Sequence, residues 1–313
     1  MPFLDRHKAD KIGDALFKGV SFFFAVSVIV LSCLLFAVLL WEAIPALRAF
    51  GLRFLYTSAW DPVRSVFGAL PAIYGTVVSS IIAVVIAVPI SLGIAIFLTE
   101  LSPAWLCGPA GMAIELLAAI PSIIYGMWGL FVFAPLLASR VEPFIIERLG
   151  FIPIFRGAPL GIGMLPAGFI LAIMIIPFIS SVARDVFRMT PPMLKESGYA
   201  VGATRWEVIR RIVMPFTKSG LFGAVILGLG RALGETMAVT FLIGNSYGMS
   251  AGLLNPATSI SATLANEFTE AVDAVHISSL VALGLILFVI TFIVLAGAKL
   301  LIKRFSLAGG GRA

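Results

Sequence analysis

Two charged side chains, Arg231 and Glu235, lie within the apolar segment GLGRALGETMAV, residues 228–239. No other charged residue occurs within ten positions of either one. A guanidinium near the centre of a bilayer costs about 2.5–3.5 kcal/mol, so we expect Arg231 to face protein or water instead of lipid. Its planar, paired donors match an oxyanion such as phosphate. The segment therefore predicts an anion contact inside a membrane span.

The spacing of Arg231 and Glu235 predicts that both side chains lie on one face of a helix. In one interpretation they line a polar route, where Glu235 holds the guanidinium in place and prevents it from retaining the anion too tightly. In a second interpretation Glu235 only neutralises Arg231 so that the helix can insert. In a third, the pair forms a contact between subunits. We take the first as the working hypothesis.

The composition is that of a membrane protein. Of 313 residues, 60% are hydrophobic and 12% are charged, whereas soluble domains carry about 25% charged residues. The first apolar run continues for about 25 residues, longer than the core of a signal peptide, and is predicted to be a retained anchor. Because about 20 apolar residues cross a bilayer, we predict an all-α polytopic protein with six spans at about 19–44, 72–98, 109–138, 160–183, 219–244 and 278–302.

Several functional classes are disfavoured by the composition. Two cysteines, Cys33 and Cys107, and two histidines indicate neither a disulfide framework nor a metal site. They also provide poor material for the nucleophile and base of an enzyme. The net charge of +6 would suggest nucleic acid as a partner of a soluble protein, but here it mainly reflects topology, and no nucleic-acid partner is expected.

The positions of Lys and Arg predict the orientation. Fifteen of them lie in the two terminal tails and between spans four and five, against six in the connections on the other face. Because Lys and Arg accumulate on the cytoplasmic side, both termini and the 184–218 connection are predicted to be cytoplasmic. We divide the chain into residues 1–71 (N-terminal tail, first span and outer loop), 72–305 (main transmembrane domain) and 306–313 (C-terminal tail).

The connection between spans four and five contains KESGYAVGATRWEVIRRIVMP, residues 195–215. It predicts a short helix, a turn eased by Gly202, and a second helix from about Thr204 towards span five. A helix that projects from the membrane can occupy a groove on a partner protein. The alternative is a basic amphipathic helix that lies on anionic lipid. Contact with lipid alone would not require Gly202 and Pro215 at their positions. The segment therefore favours docking to a partner protein.

The same segment resembles the cytoplasmic EAA signature of ABC importer permeases. Ser197 and Gly198 replace its two alanines and Met214 replaces its leucine, so small and apolar character is kept. The matching positions, from the first to the twentieth of the signature, are Glu196, Gly202, Ile212 and Pro215. The resemblance implies that a cytoplasmic ATPase subunit docks on a coupling loop at about residues 187–218.

The energy source is expected on that partner. No G-x-x-x-x-G-K-[ST] motif occurs in the chain, so it has no P-loop with which to bind ATP. We therefore predict a transport subunit that is not itself an enzyme and needs no cofactor of its own. ATP and Mg are expected to bind to the ATPase.

A wider resemblance covers nearly the whole chain. It is to the PstC-type permeases of high-affinity phosphate ABC importers, and it is carried by FGLRFLYTSAWDPV, FGALPAIYGTVVSS, VPISLGIAIFLTELSP, IELLAAIPSIIYGMWGLFVFAP and GLGRALGETMAVTFLIGN. The resemblance implies a MetI-like type I permease core in the bacterial inner membrane that works by alternating access. It also implies a heterodimer with a PstA-type permease, a dimer of PstB-type ATPases and a PstS-type phosphate-binding protein outside. In that family the arginine and glutamate at Arg231 and Glu235 are associated with the phosphate path.

Glu115 is a second acid within a predicted span. It lies only about six residues from the cytoplasmic end of span three. Because a helix rises by roughly 1.5 Å per residue, its depth in the membrane is small. At that depth it can reach the interface or a basic residue of the 184–218 connection. We interpret it as structural.

Two outer segments receive weaker interpretations. Residues 45–71 mix arginines with aromatic residues, which is typical of anchoring at the lipid headgroups, and docking of the binding protein is an alternative. Residues 245–277 contain three acids and no Lys or Arg, and no role is predicted for them.

Two other functions remain as alternatives to phosphate import. The first is a permease for another oxyanion, such as molybdate or sulfate. The second is an ATP-independent secondary transporter or channel in which Arg231 and Glu235 form a charge relay.

Overall fold

The computed structural model describes the backbone of residues 2–309 and the side chains of residue 14 and of residues 16–300 apart from 104. Within those limits the chain is helical, with two isolated β-bridges and no β-strand. The α-helices, in chain order, are α1 (Pro2–Phe50), α2 (Arg53–Tyr56), α3 (Leu70–Ile96), α4 (Ala104–Ala118), α5 (Ser122–Trp128), α6 (Ala134–Leu136), α7 (Glu142–Leu149), α8 (Met164–Arg188), α9 (Pro192–Ala200), α10 (Arg205–Val208), α11 (Met214–Leu233), α12 (Met237–Leu242), α13 (Ile260–Glu267) and α14 (Ala274–Gly309).

Several α-helices continue into or are joined by π-helical turns, at Phe97–Leu101, Gly129–Phe133, Leu137–Val141 and Ile209–Val213. In the part of the chain that the structure describes, six helical stretches are long and apolar enough to cross a membrane: Leu16–Phe50, Leu70–Leu101, Ser122–Leu149, Met164–Arg188, Arg205–Leu233 and Ala274–Leu300. The prediction of an all-α protein with six membrane spans is confirmed. We call the end of the bundle that carries residues 184–218 the basic end, and the other the opposite end.

The third span differs from the prediction of one helix over 109–138. Helix α4 ends at Ala118, and α5 begins only at Ser122. Pro121 explains the interruption because it has no N–H for the helical ladder and disfavours helical backbone at the residue before it. The hydroxyl of Tyr125 donates to the carbonyl of Leu117 over 2.8 Å, which adds a side-chain hydrogen bond across the break. After the interruption, the part of span three that is long and apolar enough to cross the membrane runs from Ser122 to Leu149.

The fifth span is also interrupted, where an unbroken helix over 219–244 was predicted. Helix α11 ends at Leu233, and the chain resumes as α12 at Met237. Gly234 follows the last helical residue, and glycine lowers helix stability by about 1 kcal/mol relative to alanine. The interruption, residues 234–236, contains Glu235.

The core of the bundle is the packing of α3 against α8. Buried alanines such as Ala83 and Ala87 let the two helices approach closely. A Cβ atom on Gly168 would come within 2.5 Å of Ile82 Cγ2, so only glycine fits there. The hydroxyl of Ser91 in α3 donates across to the carbonyl of Ile176 in α8 over 3.1 Å. These contacts make α3 and α8 one packed pair that connects the two ends of the bundle.

The first span packs mainly against α14. The buried residues Ala43 and Ala46 of α1 form this contact. The hydroxyl of Ser278 donates to the carbonyl of Glu42 over 2.8 Å and accepts from the N–H of Ala46 over 3.0 Å. From Leu16 onwards, most of the other described side chains of α1 are apolar and exposed, as suits a helix bordered by lipid or by another subunit.

Candidate functional site

Arg231 lies near the end of α11, two residues before the helix stops. At about 1.5 Å per residue from Ser219, its Cα lies about 18 Å along the span, close to the middle of a bilayer. Its side chain is exposed in this chain, and its Cζ lies 5.8 Å from the centre of the Phe178 ring on α8. A cation over an aromatic face is weakly attracted to the ring while its N–H groups stay free. The guanidinium is therefore placed at mid-membrane on a surface that this chain does not cover.

Glu235 is not on the same helical face as Arg231, because α11 ends between them. Its side chain is half-buried, and its Oε1 accepts from the N–H of Ala238 over 3.3 Å, in the first turn of α12. Among the described side chains, no carboxylate oxygen lies within 4 Å of the Arg231 guanidinium. The structure thus differs from the expected pair on one face: Glu235 caps the next helix, and Arg231 keeps its donors available.

The two interrupted spans meet beside Arg231. Helices α5 and α12 are in close contact, since a Cβ on Gly126 would lie 3.0 Å from Ala238 Cα and 2.7 Å from Phe241 Cδ2. Both helices begin just after their interruptions, so residues 119–121 and 234–236 lie at a similar level. Irregular backbone inside a membrane is tolerated where it is buried in protein or lines a wet cavity. Discontinuous helices near the midplane are also a recurrent setting for transporter substrate sites.

Glu115 on α4 contacts Arg184 on α8. The Arg184 Nη2 and Glu115 Oε1 are 2.5 Å apart, and Asp185 lies 3.5 Å from Arg184 Nε. A Cβ on Gly111 would come within 2.3 Å of Arg184 Nη1, so the glycine leaves room for the buried guanidinium. Glu115 thus contacts a basic residue at the start of the 184–218 connection, one of the two contacts expected from its small depth in the membrane. This ion pair joins α4 to α8.

The predicted helix, turn and helix of the 184–218 connection are α9, the turn at 201–203 and α10. The N–H of Gly202 donates to Tyr199 O over 2.9 Å, and that of Ala203 to Gly198 O over 3.1 Å. This pair of bonds is a Schellman motif, in which the residue at Gly202 must adopt a left-handed conformation. Gly202 has φ +83°, and a Cβ there would meet no atom within 4 Å. Glycine is therefore required for backbone conformation and not for space.

The second helix of this segment begins with a capping box. Thr204 Oγ1 accepts from the N–H of Glu207 over 3.3 Å, and Glu207 Oε2 accepts from the N–H of Thr204 over 2.9 Å. Helix α9 packs closely against α10 and the π-helical turn after it, because a Cβ on Gly198 would lie 3.1 Å from Val208 Cγ2 and 2.6 Å from Ile212 Cδ1. The segment is thus one folded unit with a fixed angle between its helices.

The four signature residues have different positions in this unit. Ile212 is half-buried and packs the π-helical turn after α10 against α9, whereas the other three are exposed: Glu196, Gly202 and Pro215. Large apolar side chains around them are exposed as well, with Met193 at 75% and Val201 at 85% of their full accessibility. An apolar surface on a helix at the edge of the membrane is suited to a protein partner.

One contact of this unit was not predicted from the sequence. Lys195 Nζ in α9 lies 2.5 Å from Glu100 Oε1, on the π-helical turn that ends span two. The two residues are 95 positions apart. The only signal in the sequence is that an acid stands at the end of an otherwise apolar span.

At the opposite end, Glu267 accepts hydrogen bonds from three side chains. They are Trp60 Nε1 at 2.7 Å, His276 Nε2 at 2.9 Å and the Tyr247 hydroxyl. The Trp60 and Tyr247 rings stack with centroids 5.5 Å apart. Burial and the adjacent Glu267 raise the pKa of the Tyr247 phenol, so it remains a donor at physiological pH. This cluster joins the outer segments 45–71 and 245–277.

The cluster changes the interpretation of residues 45–71. Phe54 is 1% and Trp60 is 9% exposed, so they pack inside the protein and do not anchor it at the lipid headgroups. Tyr56 is exposed at 76% and remains available for such an anchor. The acid-rich 245–277 segment has a structural acid at Glu267.

Replacing Glu267 by alanine is expected to destabilise this end of the protein by about 3 kcal/mol. Three partly buried donors would lose their acceptor, and each unsatisfied group costs about 1–3 kcal/mol. The measurement is the midpoint of thermal unfolding in detergent, followed by tryptophan fluorescence. Glu270→Ala is the matched control, because its exposed carboxylate has no hydrogen bond to another described side chain. Equal midpoints for the two variants would contradict the role of Glu267.

Known proteins similar to this chain share one kind of activity. Residues 76–307 match the family described as binding-protein-dependent transport system inner membrane component. A relative named phosphate transport system permease protein PstC, from Mesorhizobium japonicum, is 59% identical over 269 residues, covering 85% of this chain and 82% of the relative. A protein of the same name from Pasteurella multocida is 52% identical, covering 93% of this chain and 92% of its own.

Solved structures agree with the fold. An inward-facing MetNI methionine ABC transporter chain superposes with a TM-score of 0.56 at 15% identity, covering 79% of this chain and 99% of its own. A bacterial alginate ABC transporter, solved with its alginate-bound periplasmic protein, superposes with a TM-score of 0.56 at 17% identity, covering 90% and 94%. At such identities the likeness concerns the fold alone. The family match over residues 76–307 and the sequence relatives show that the chain belongs to the binding-protein-dependent transport system inner membrane components, among relatives named PstC.

Proposed function

We propose that this chain is the PstC-type permease subunit of an ABC importer that carries inorganic phosphate across the bacterial inner membrane. The observation that carries the proposal is Arg231, a guanidinium at mid-membrane with no carboxylate within 4 Å among the described side chains. Its planar fork matches two oxygens of a phosphate ion. The names of the sequence relatives favour phosphate over other oxyanions.

The exposed position of Arg231 supports an assembly with a second permease. A guanidinium left on the lipid-facing side would be costly, so another chain or a water-filled passage must lie against it. We propose a PstA-type permease as this chain, which places the phosphate path between the two subunits. Phosphate would be delivered to the opposite end by a PstS-type binding protein.

The energy for transport would come from a dimer of PstB-type ATPases that bind ATP and Mg. The apolar, exposed surface of α9 and its turn supports docking of such a subunit. Both termini and the 184–218 connection would then be cytoplasmic, in agreement with the distribution of Lys and Arg. This chain contributes a path and a coupling contact, and hydrolysis takes place on its partners.

Arg231 would act by binding the anion for a short time. In a passage that is alternately open to each side, its N–H groups replace part of the water around phosphate, and the favourable contact is lost when the passage changes side. Conduction requires a site strong enough to accept the ion and weak enough to release it. Glu235, close along the chain and held as a cap of α12, contributes a negative charge that would limit the affinity.

The experiment is reconstitution of the chain in liposomes, alone and with the three proposed partners. We expect ATP-dependent accumulation of radiolabelled phosphate by the complete assembly only, without inhibition by excess molybdate or sulfate. Stimulation of ATP hydrolysis by molybdate or sulfate and not by phosphate would indicate a permease for that oxyanion. Phosphate flux through the chain alone would indicate an ATP-independent transporter. Either result would contradict the proposal.

A further inference from the structure

The coupling helix α9 is held by one polar contact to a span that does not adjoin it in the chain. Lys195 Nζ lies 2.5 Å from Glu100 Oε1, with the side chains 22% and 7% exposed. Glu100 belongs to the π-helical turn Phe97–Leu101 at the end of α3. The turn is itself fixed, because the N–H of Ser102 donates to Phe97 O over 2.7 Å. The carboxylate is therefore presented to α9 from a defined position.

The ion pair lies beside an open cleft. The cleft has a volume of about 680 Å³ and separates α9 from the connection between α3 and α4; its lining residues are Glu100, Leu101, Ser102, Pro103, Tyr199 and Arg205. An apolar cluster nearby joins α3, α8, α10 and α11, through residues such as Ala95, Phe187, Val208 and Leu221. Helix α9 contributes no described residue to this cluster and rests on it through Gly198, where a Cβ would lie 3.1 Å from Val208 Cγ2. The ion pair adds a direct contact between charged side chains of α9 and of the turn that ends α3.

Span two, which contains α3 and ends at the turn that carries Glu100, reaches the opposite end of the bundle. Near the start of α3, Thr76 Oγ1 accepts from the N–H of Ile260 over 2.9 Å. A Cβ on Gly75 would come within 1.9 Å of Thr258 O, so the outer segment rests directly on the helix. Helix α8, which follows α3 along its length, donates from the N–H of Leu165 to Leu253 O over 2.9 Å. Helix α11, by contrast, stops at Leu233.

We propose that Lys195 and Glu100 are positioning residues of transport, which attach α9 to the α3–α8 pair. Helix α8 is joined to α9 by the chain, and α3 is joined to it by the ion pair. A displacement of α9 by the ATPase is then passed to both helices together and reaches the 245–260 segment at the opposite end. Because α11 is interrupted at 234–236, it is less suited to transmit the same displacement. This inference rests on the proposed function and adds the route by which coupling reaches the outer side.

The test uses the complete importer in liposomes and measures ATP hydrolysed per phosphate transported. Glu100→Gln and Lys195→Gln remove one charge each and keep the side-chain size. Each is expected to raise the ratio of ATP hydrolysed to phosphate transported about fivefold or more. A factor of about five corresponds to the lower limit of typical coupling free energies. The exchange Glu100→Lys with Lys195→Glu restores the pair in reverse and is expected to return the ratio towards the wild-type value. Lys195→Gln leaves Glu100 beside the open cleft, where water can reach it, so this variant is expected to fold.

The control is Glu115→Gln, which breaks an ion pair of the same length at the same end that does not include α9. It is expected to lower the thermal stability of the complex and leave the ratio unchanged. The inference is overturned if Lys195→Gln assembles with a wild-type ratio, if Glu115→Gln raises the ratio equally, or if the charge exchange assembles without restoring it. A wild-type assembly that does not import phosphate would contradict the proposed function instead.

Discussion

Uptake of phosphate is expected to fall about 100-fold when Arg231 is replaced by alanine. Truncating one partner of a desolvated, charge-assisted contact costs about 2–5 kcal/mol, and 1.4 kcal/mol corresponds to a factor of ten. No other Lys or Arg lies between Lys218 and the end of the 245–277 segment to replace it. The measurement is initial uptake by the complete assembly at saturating ATP, normalised to the amount of complex.

Two variants show whether the loss belongs to the guanidinium. Arg231→Lys keeps the charge but loses the planar fork, so uptake is expected to be lower than wild type and higher than in the alanine variant. Leu227→Ala shortens an exposed apolar side chain one turn earlier on α11, and uptake is expected to stay close to wild type. Normal uptake by Arg231→Ala would remove Arg231 from the mechanism.

Valine at Gly202 is expected to uncouple hydrolysis from transport. A β-branched residue at φ +83° is strained by about 1–2 kcal/mol or more. The backbone of the turn will therefore change, and with it the angle between α9 and α10 that would present Val201 to the proposed ATPase. We expect ATP hydrolysis to continue while the phosphate transported per ATP falls about tenfold, because 1.4 kcal/mol corresponds to that factor.

Asparagine at the same position separates conformation from size. It adds a side chain where no atom lies within 4 Å of a Cβ, and it tolerates left-handed backbone better than other residues with a Cβ. Gly202→Asn should therefore retain most of the coupling. An assembled Gly202→Val importer with the wild-type ratio of phosphate to ATP would count against docking through this turn.

The apolar runs were sufficient to predict the six spans, because a helix that crosses hydrocarbon must be long and apolar. The turn at Gly202 and the helix from Thr204 were also predictable, since both depend on local backbone chemistry. The interruptions at 119–121 and 234–236 were not predicted. Pro121 and Glu235 lie at these positions, but the apolar runs continue on both sides of them, and the break after Leu233 depends on how Gly234 and Glu235 end one helix and begin another.

The contacts between distant residues required the structure. Arg231 and Glu235 were found from their charges, but the end of α11 between them, which leaves Glu235 outside the helix of Arg231, was not. Glu100 with Lys195, and Glu115 with Arg184, are 95 and 69 positions apart, and one sequence does not show which acid meets which base. The roles of Trp60 and Phe54 were likewise hidden, because an aromatic residue near an arginine occurs both at lipid headgroups and in a core.

The interruption after Leu233 has a consequence for how an anion would lose its hydration shell. The first N–H groups of a helix have no partner within it, and Glu235 occupies only one of those of α12, that of Ala238. In hydrocarbon the remaining groups need water or a neighbouring chain, so this level of the span is polar before any ion arrives. Phosphate that reaches Arg231 would exchange waters one at a time with groups already in place, which lowers the dehydration barrier compared with a smooth apolar helix.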